Sequence, residues 1–239
     1  NTMGKGYFAG IDSGSTSTDV VILDRERKIV SSVIMPTGAG AANGAERALE
    51  EALRQSGLNR EDIDAVVTTG YGRTAISDGD KSITEITCHA RGAHFLDSSV
   101  RTVVDIGGQD SKVIRLNDDG SVKNFVMNDK CAAGTGRFLE MMAKTMEMSL
   151  DELSKVGLSY QEDITISSMC TVFAESEVVS LIAQNKATDD IVHGLNKAVA
   201  AKTASLVKRV GGEEAYMMTG GVAQNQGLVR TLEERLGTK

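Results

Sequence analysis

One short pattern occurs twice in this chain: an apolar strand closed by an aspartate, a polar glycine turn, and a returning strand rich in β-branched residues. In the first copy residues 6–12 read as the strand, 13–17 as the turn and 18–23 as the return. In the second, residues 102–105 form the strand, Ile106-Gly107-Gly108-Gln109-Asp110-Ser111 the turn, and residues 112–116 the return. A further strand follows each copy, over residues 29–35 and 122–127. Asp12 and Asp105 close the leading strands at matching places. The repeat predicts a duplicated α/β architecture of two similar halves, residues 1–99 and 100–239, with a ligand in the cleft between them, where sites commonly form.

The remaining segments fit around these hairpins. Residues 42–56 have helical apolar spacing at Ala45, Ala48, Leu49, Ala52 and Leu53, and residues 65–69 read as a buried strand. Helices are expected over residues 134–148, 172–184, 188–210 and 225–236, with a last strand over 215–219.

Bulk properties exclude several classes. The chain has 239 residues, 41% of them hydrophobic, enough for a packed core. Its net charge is −7 and no run of Lys or Arg forms a stripe, so a nucleic-acid partner is not expected. No apolar stretch approaches the roughly 20 residues that span a bilayer. A cytoplasmic protein without a membrane partner is the expectation. Cys88, Cys131 and Cys170 are odd in number and widely spaced, which suits neither a secreted disulfide framework nor paired zinc knuckles.

The two turns have the parts needed to hold a nucleotide tail. In Asp12-Ser13-Gly14-Ser15-Thr16-Ser17, glycine lets backbone approach closely, N–H groups and hydroxyls donate to phosphate oxygens, and Asp12 can position Mg²⁺ or its waters. Asp105, Gly107 and Gly108 repeat the device. Thr219-Gly220-Gly221-Val222-Ala223 lies between a strand and a helix, and its glycines allow backbone to lie flat against a ring or ribose. No GxxxxGK[ST] loop is present. These three segments resemble, in order and spacing, the phosphate-1, phosphate-2 and adenosine motifs of the acetate and sugar kinase/Hsc70/actin superfamily. The resemblance implies duplicated ribonuclease H-like (actin-like ATPase) domains with an interdomain nucleotide cleft, binding ATP/ADP with Mg²⁺.

Gln109 bears on the reaction. A kinase of that superfamily uses a carboxylate base for its acceptor hydroxyl, whereas an amide only orients a water, so hydrolysis suits Gln109 better than phosphoryl transfer. Asp110 beside it leaves base catalysis open.

Cys131 and Cys170 each stand immediately before a predicted helix, where free N–H groups and the helix dipole favour a thiolate. The stretch Asn128-Asp129-Lys130-Cys131-Ala132-Ala133-Gly134-Thr135-Gly136 and the stretch Ser168-Met169-Cys170-Thr171-Val172-Phe173-Ala174-Glu175-Ser176-Glu177 resemble the activators of 2-hydroxyacyl-CoA dehydratases and the ATPase subunits of benzoyl-CoA reductase, the BadF/BadG/BcrA/BcrD-type ATPases. That resemblance implies a homodimer with one [4Fe–4S] cluster shared between subunits, Cys131 and Cys170 as its ligands, and Gly134, Thr135 and Gly136 beside the nucleotide. It also implies that ATP hydrolysis drives a low-potential electron to an iron-sulfur dehydratase or reductase component. The chain has no flavin or nicotinamide fingerprint, so ferredoxin or flavodoxin is the expected donor. Cys88 matches no ligand position and reads as structural, and Glu175 and Glu177 read either as cleft acids or as helix-cap and solvated positions. A small-molecule kinase and a cluster-free, nucleotide-dependent regulatory protein are the alternative functions.

Overall fold

The computed structural model describes residues 4–128, 132–167 and 170–239. It divides into two compact units, Asn1–His89 and Ala90–Lys239.

In the first unit β1 (Tyr7–Ser13), β2 (Ser17–Leu23) and β3 (Ile29–Pro36) form an antiparallel meander. β4 (Ile63–Thr69) pairs with β1 in parallel and a short β5 (Lys81–Ser82) extends it, giving the order β3-β2-β1-β4-β5. Alternation explains the layering: Ala9, Ile11, Val20 and Ile22 point to one face, where α1 (Ala41–Ser56) covers them with Ala45, Ala48, Leu49 and Ala52. α1 stops at Gly57, whose left-handed backbone (φ 70°) returns its N–H to Arg54 O.

The second unit repeats the plan. β6 (Thr102–Ile106), β7 (Ser111–Leu116) and β8 (Val122–Asn128) form the meander, and β9 (Tyr216–Thr219) joins β6 in parallel, in the order β8-β7-β6-β9. Its larger core gathers α3 (Gly136–Thr145), α4 (Leu150–Val156), α5 (Thr171–Ala183), α6 (Thr188–Arg209) and α7 (Gln226–Leu236) on the sheet through residues such as Ile106, Phe138, Met142, Leu153, Leu195 and Leu228.

The duplication extends to single residues. Asp12 pairs with Thr69 across β1 and β4, and Asp105 pairs with Thr219 across β6 and β9. A glycine follows each threonine with almost the same backbone, Gly70 at φ 88° and Gly220 at φ 87°. A Cβ on Gly70 would fall 2.5 Å from Ser13 O, and one on Gly220 2.4 Å from Ile106 O, so only glycine fits at either place. Two similar α/β units in one chain are the architecture that the paired hairpins predict.

The predicted helices over residues 134–148, 172–184, 188–210 and 225–236 are present with ends shifted by a few residues. Two more were not expected: α2 (Glu85–Leu96), within which the chain passes from the first unit to the second, and α4. The buried side of α2 is small, Ile86, Ala90 and Ala93, and His89 and Arg91 break up the apolar pattern. α4 is two turns long. No helix among the described residues is long and apolar enough to cross a membrane.

Candidate functional site

In the first unit the turn after β1 is braced from within. Gly14 N donates to Ser17 O at 2.9 Å, Thr37 Oγ1 donates to Gly14 O at 2.8 Å, and Thr18 and Thr37 share a hydroxyl hydrogen bond of 2.9 Å. Ser13 is buried, whereas Asp12, Ser15 and Thr16 are exposed and Ser17 is half-buried. Asp19, which the sequence reading passed over, pairs directly with Asp12, so the two carboxylates project from the same face of the hairpin. Burial pushes the Asp19 carboxyl above its ordinary value, against the opposing hydrogen bond from Ser17.

In the second unit the corresponding aspartate is nearly enclosed. Asp105 accepts the Thr219 hydroxyl on Oδ1 at 2.9 Å, and Lys112 Nζ lies 3.5 Å from Oδ2, both charged side chains being almost fully buried. Lys112 escaped notice because an alternating strand position normally carries such a residue outward. Here β7 is covered on both faces. The glycine turn closes with Gly107 N donating to Asp110 O at 2.9 Å and leaves Gly108 and Gln109 exposed.

α3 grows directly out of this turn. Gly136 N donates to Gly107 O at 2.8 Å and Arg137 N donates to Gly108 O at 2.9 Å, so two N–H groups that a helix start leaves unpaired are spent on the glycine turn. A Cβ on Gly136 would lie 3.2 Å from Gly108 Cα, 3.3 Å from Gly107 O and 3.4 Å from Val222 Cγ2. Gly134 has φ 84°, and buried Thr135 donates its hydroxyl to Ala132 O at 2.6 Å, which shapes the approach to the helix.

Around this junction lies a pocket of about 300 Å³, at the small end of the range for organic ligands. Gly108, Gly136, Gly221 and Val222 line it, drawn from the second glycine turn, the segment after Cys131 and the 219–223 turn. The rest of the wall was not predicted: Leu139 and Glu140 of α3, Leu150, Asp151 and Ser154 of α4, and Gln224 and Asn225 before α7. A local signal for α4 exists in Ser149-Leu150-Asp151-Glu152. Ser149 Oγ accepts from Glu152 N at 3.1 Å and the Glu152 carboxylate accepts from Ser149 N at 3.0 Å, a capping box readable from sequence. Of the adenosine-motif residues, Gly220 and Ala223 turn the chain into this wall, with Ala223 N donating to Gly220 O at 3.0 Å.

Comparison with known proteins assigns the fold to a lineage. The family model described as the BadF/BadG/BcrA/BcrD ATPase family matches residues 9–239.

The chain belongs to that family.

It is 48% identical over 233 residues to a 2-hydroxyisocaproyl-CoA dehydratase activator of Clostridioides difficile, covering 98% of this chain and 87% of the relative. It also superimposes, with a TM-score of 0.91 and 43% identity, on the crystal structure of component A of the (R)-2-hydroxyglutaryl-CoA dehydratase of Acidaminococcus fermentans, over 98% of this chain and 90% of that one. An N-acetylglucosamine kinase from Chromobacterium violaceum, described as putative in its own name, shares the fold at 16% identity and a TM-score of 0.58, covering 97% and 92%.

For this BadF-type chain the cysteines take distinct places. Cys170 is exposed and caps the N-terminus of α5, its carbonyl accepting from Ala174 N at 2.8 Å. The same helix exposes Val172 and Phe173 beside it, and Val179 and Ile182 further along. An accessible thiol at the positive end of a 13-residue helix suits an anionic metal cluster, and apolar neighbours suit burial against another chain. Cys131 lies outside the described residues. Cys88 is half-buried within α2, and neither it nor Cys170 forms a disulfide.

The segment leading to Cys170 is tied down on two sides. Asp190 of α6 accepts from Gln161 N at 2.8 Å and Glu162 N at 3.0 Å, bonds that hold its carboxyl below the usual range. His193 stacks on Tyr160 with ring centroids 3.5 Å apart and meets Asp163 Oδ1 at 2.8 Å, while Lys197 also reaches Asp163. Nearer the cysteine, Glu177 of α5 accepts from Ser167 N at 3.1 Å and from Ser167 Oγ at 2.6 Å. The two acids left open by the sequence thus have definite partners, since Glu175 accepts from Thr145 Oγ1 at 3.1 Å.

Proposed function

We propose that this chain is the ATP-hydrolysing activator of a 2-hydroxyacyl-CoA dehydratase or a related CoA-ester reductase, delivering an electron to that iron-sulfur partner at the expense of ATP. The observation that carries the reading is the pocket joining Gly108, Gly136 and Gly221, in a chain nearly half identical to a dehydratase activator.

Each residue has a definite task in this reading. The pocket takes the adenosine: Leu139, Leu150 and Val222 supply apolar wall, and Glu140, Asp151, Ser154, Gln224 and Asn225 offer polar groups to base and ribose. The glycine turn at Gly107 and Gly108 and the residues Ser13, Gly14, Ser15, Thr16 and Ser17 contact the phosphates, and Asp12 and Asp105 orient Mg²⁺ or its waters. Gln109, exposed at its turn, aligns a water for attack on the γ-phosphate, giving ADP and inorganic phosphate.

Cys131 and Cys170, contributed by each of two identical subunits, hold a [4Fe–4S] cluster whose chemistry is one-electron transfer at low potential. The described residues suit it: Cys170 is exposed at the start of a helix that also exposes Val172 and Phe173. Ferredoxin or flavodoxin, protein carriers of single electrons, supplies the reducing equivalent.

The deciding experiment is anaerobic purification with iron and sulfide analysis, alongside ATP turnover. About four iron per dimer is expected for one [4Fe–4S] cluster, lost in Cys131→Ala or Cys170→Ala with nucleotide binding retained. An iron-free protein that phosphorylates a small-molecule acceptor would replace this reading with that of a sugar-type kinase.

A further inference from the structure

The acids Glu175 and Glu177 stand on roughly opposite sides of the second turn of α5, and each is bonded to a different part of the chain. Glu175 takes a hydrogen bond from Thr145 at the last residue of α3, the helix whose first N–H groups are pinned to Gly107 and Gly108. Thr145 shares its one proton with Met141 O, also at 3.1 Å, so the side chain is held between its own helix and α5. Glu177 takes two hydrogen bonds from Ser167, three residues before Cys170. Between the helices, Met142 of α3 and Ala174 and Val178 of α5 are fully buried in one core, so a displacement of α3 along its axis has little slack to absorb it.

We infer that Glu175 and Glu177 are positioning residues that relay occupancy of the glycine turn at Gly107 and Gly108, through α3, to the thiol of Cys170. This rests on the activator reading and names how its two sites are linked. Thr145 and Glu175 form the joint between α3 and α5, and Glu177 fixes the strand of chain that presents Cys170 to the start of its helix. Neither acid touches nucleotide or metal in this arrangement. Each acts through another group.

The two joints have separable consequences. Losing the Thr145–Glu175 bond uncouples the helices but leaves Cys170 held, whereas losing the Glu177–Ser167 clamp changes the setting of Cys170 whether nucleotide is present or not. Thr145→Val keeps the side-chain shape and removes only the donor. Glu175→Met and Glu177→Met keep the approximate length and remove the acceptor, which a Gln amide oxygen would preserve.

The test uses the full cluster-containing protein, with and without a non-hydrolysable ATP analogue. Two quantities are read: the midpoint potential of the cluster, and hydrogen exchange of the α5 amides by mass spectrometry. In the parent protein the analogue is expected to shift both. In Thr145→Val and Glu175→Met the analogue-dependent change is expected to fall about threefold or more, the scale of a pairwise coupling along such a path, with analogue affinity for the cluster-free protein unchanged. The double variant should lose no more than either single, because both changes remove one interaction. Glu177→Met, which removes the clamp on Ser167, should instead displace the potential in the absence of the analogue. Additive losses, or analogue-dependent changes equal to those of the parent in both single variants, would overturn the relay. Absence of iron or of nucleotide binding in the parent protein would instead strike the activator reading itself, so the two failures are told apart.

Discussion

Thr219 donates its hydroxyl to Asp105 Oδ1 at 2.9 Å, across the parallel pairing of β9 with β6. The bond ties the strand that leads into the adenosine motif to the aspartate that closes the second hairpin, and Lys112 completes the enclosure at 3.5 Å. The second hairpin and a strand more than a hundred residues later therefore meet at one buried carboxylate.

Removing one partner of that buried pair should be costly, because it leaves the other charge without compensation. Lys112→Met is expected to destabilise the protein by about 3 kcal/mol or more, and Thr219→Val by about 1 kcal/mol. Urea unfolding of each variant checks the ranking. Equal stability of Lys112→Met and the parent would mean that Asp105 is solvated in the native protein.

Gly136 is expected to admit no side chain. Its missing Cβ faces Gly108 Cα at 3.2 Å, and because that neighbour is backbone the glycine turn must move to make room. With overpacking costing about 1–3 kcal/mol, Gly136→Ala should weaken ATP binding about tenfold and leave unfolding cooperative. Isothermal titration with the non-hydrolysable analogue decides it.

Gln109 should affect turnover and not binding. An amide that aligns water acts on the transition state, so Gln109→Ala is expected to lower the rate of ATP hydrolysis about tenfold or more with nucleotide affinity unchanged. A parallel loss of affinity would place Gln109 among the phosphate contacts.

Asp19 makes stability depend on pH in a direction opposite to an ion-paired acid. Burial disfavours its carboxylate, so the folded protein holds the Asp19 proton more tightly than the unfolded chain does. The resulting penalty is present above the raised folded value and vanishes as pH falls below the ordinary value of 3.8. Asp19→Asn should therefore raise Tm at neutral pH, with the gain shrinking as the medium is acidified through that window. A pH-independent difference would show that charge is not its cause.

The sequence by itself determined what depends on near neighbours. Both hairpins follow from β-branched strands flanking glycine and hydroxyl turns, and α1, α3, α5, α6 and α7 follow from apolar spacing that a helix converts into one buried face. Asp12, Asp105, Gly107 and Gly108 stand out in the sequence as the parts of two similar polar turns and Gly220 and Gly221 as a strand-to-helix turn, and the capping box at Ser149 was there to be read for α4. Only the tertiary structure decided what long-range pairing assembles. The register of β9 on β6 brings Thr219 to Asp105, the growth of α3 from the glycine turn brings Gly136 to Gly108 and Val222, and the packing of α5 on α3 brings Glu175 to Thr145. Lys112 and Asp19 illustrate the same limit: a charged residue on an alternating strand faces solvent or core according to what covers that strand, and the cover comes from elements remote in the chain.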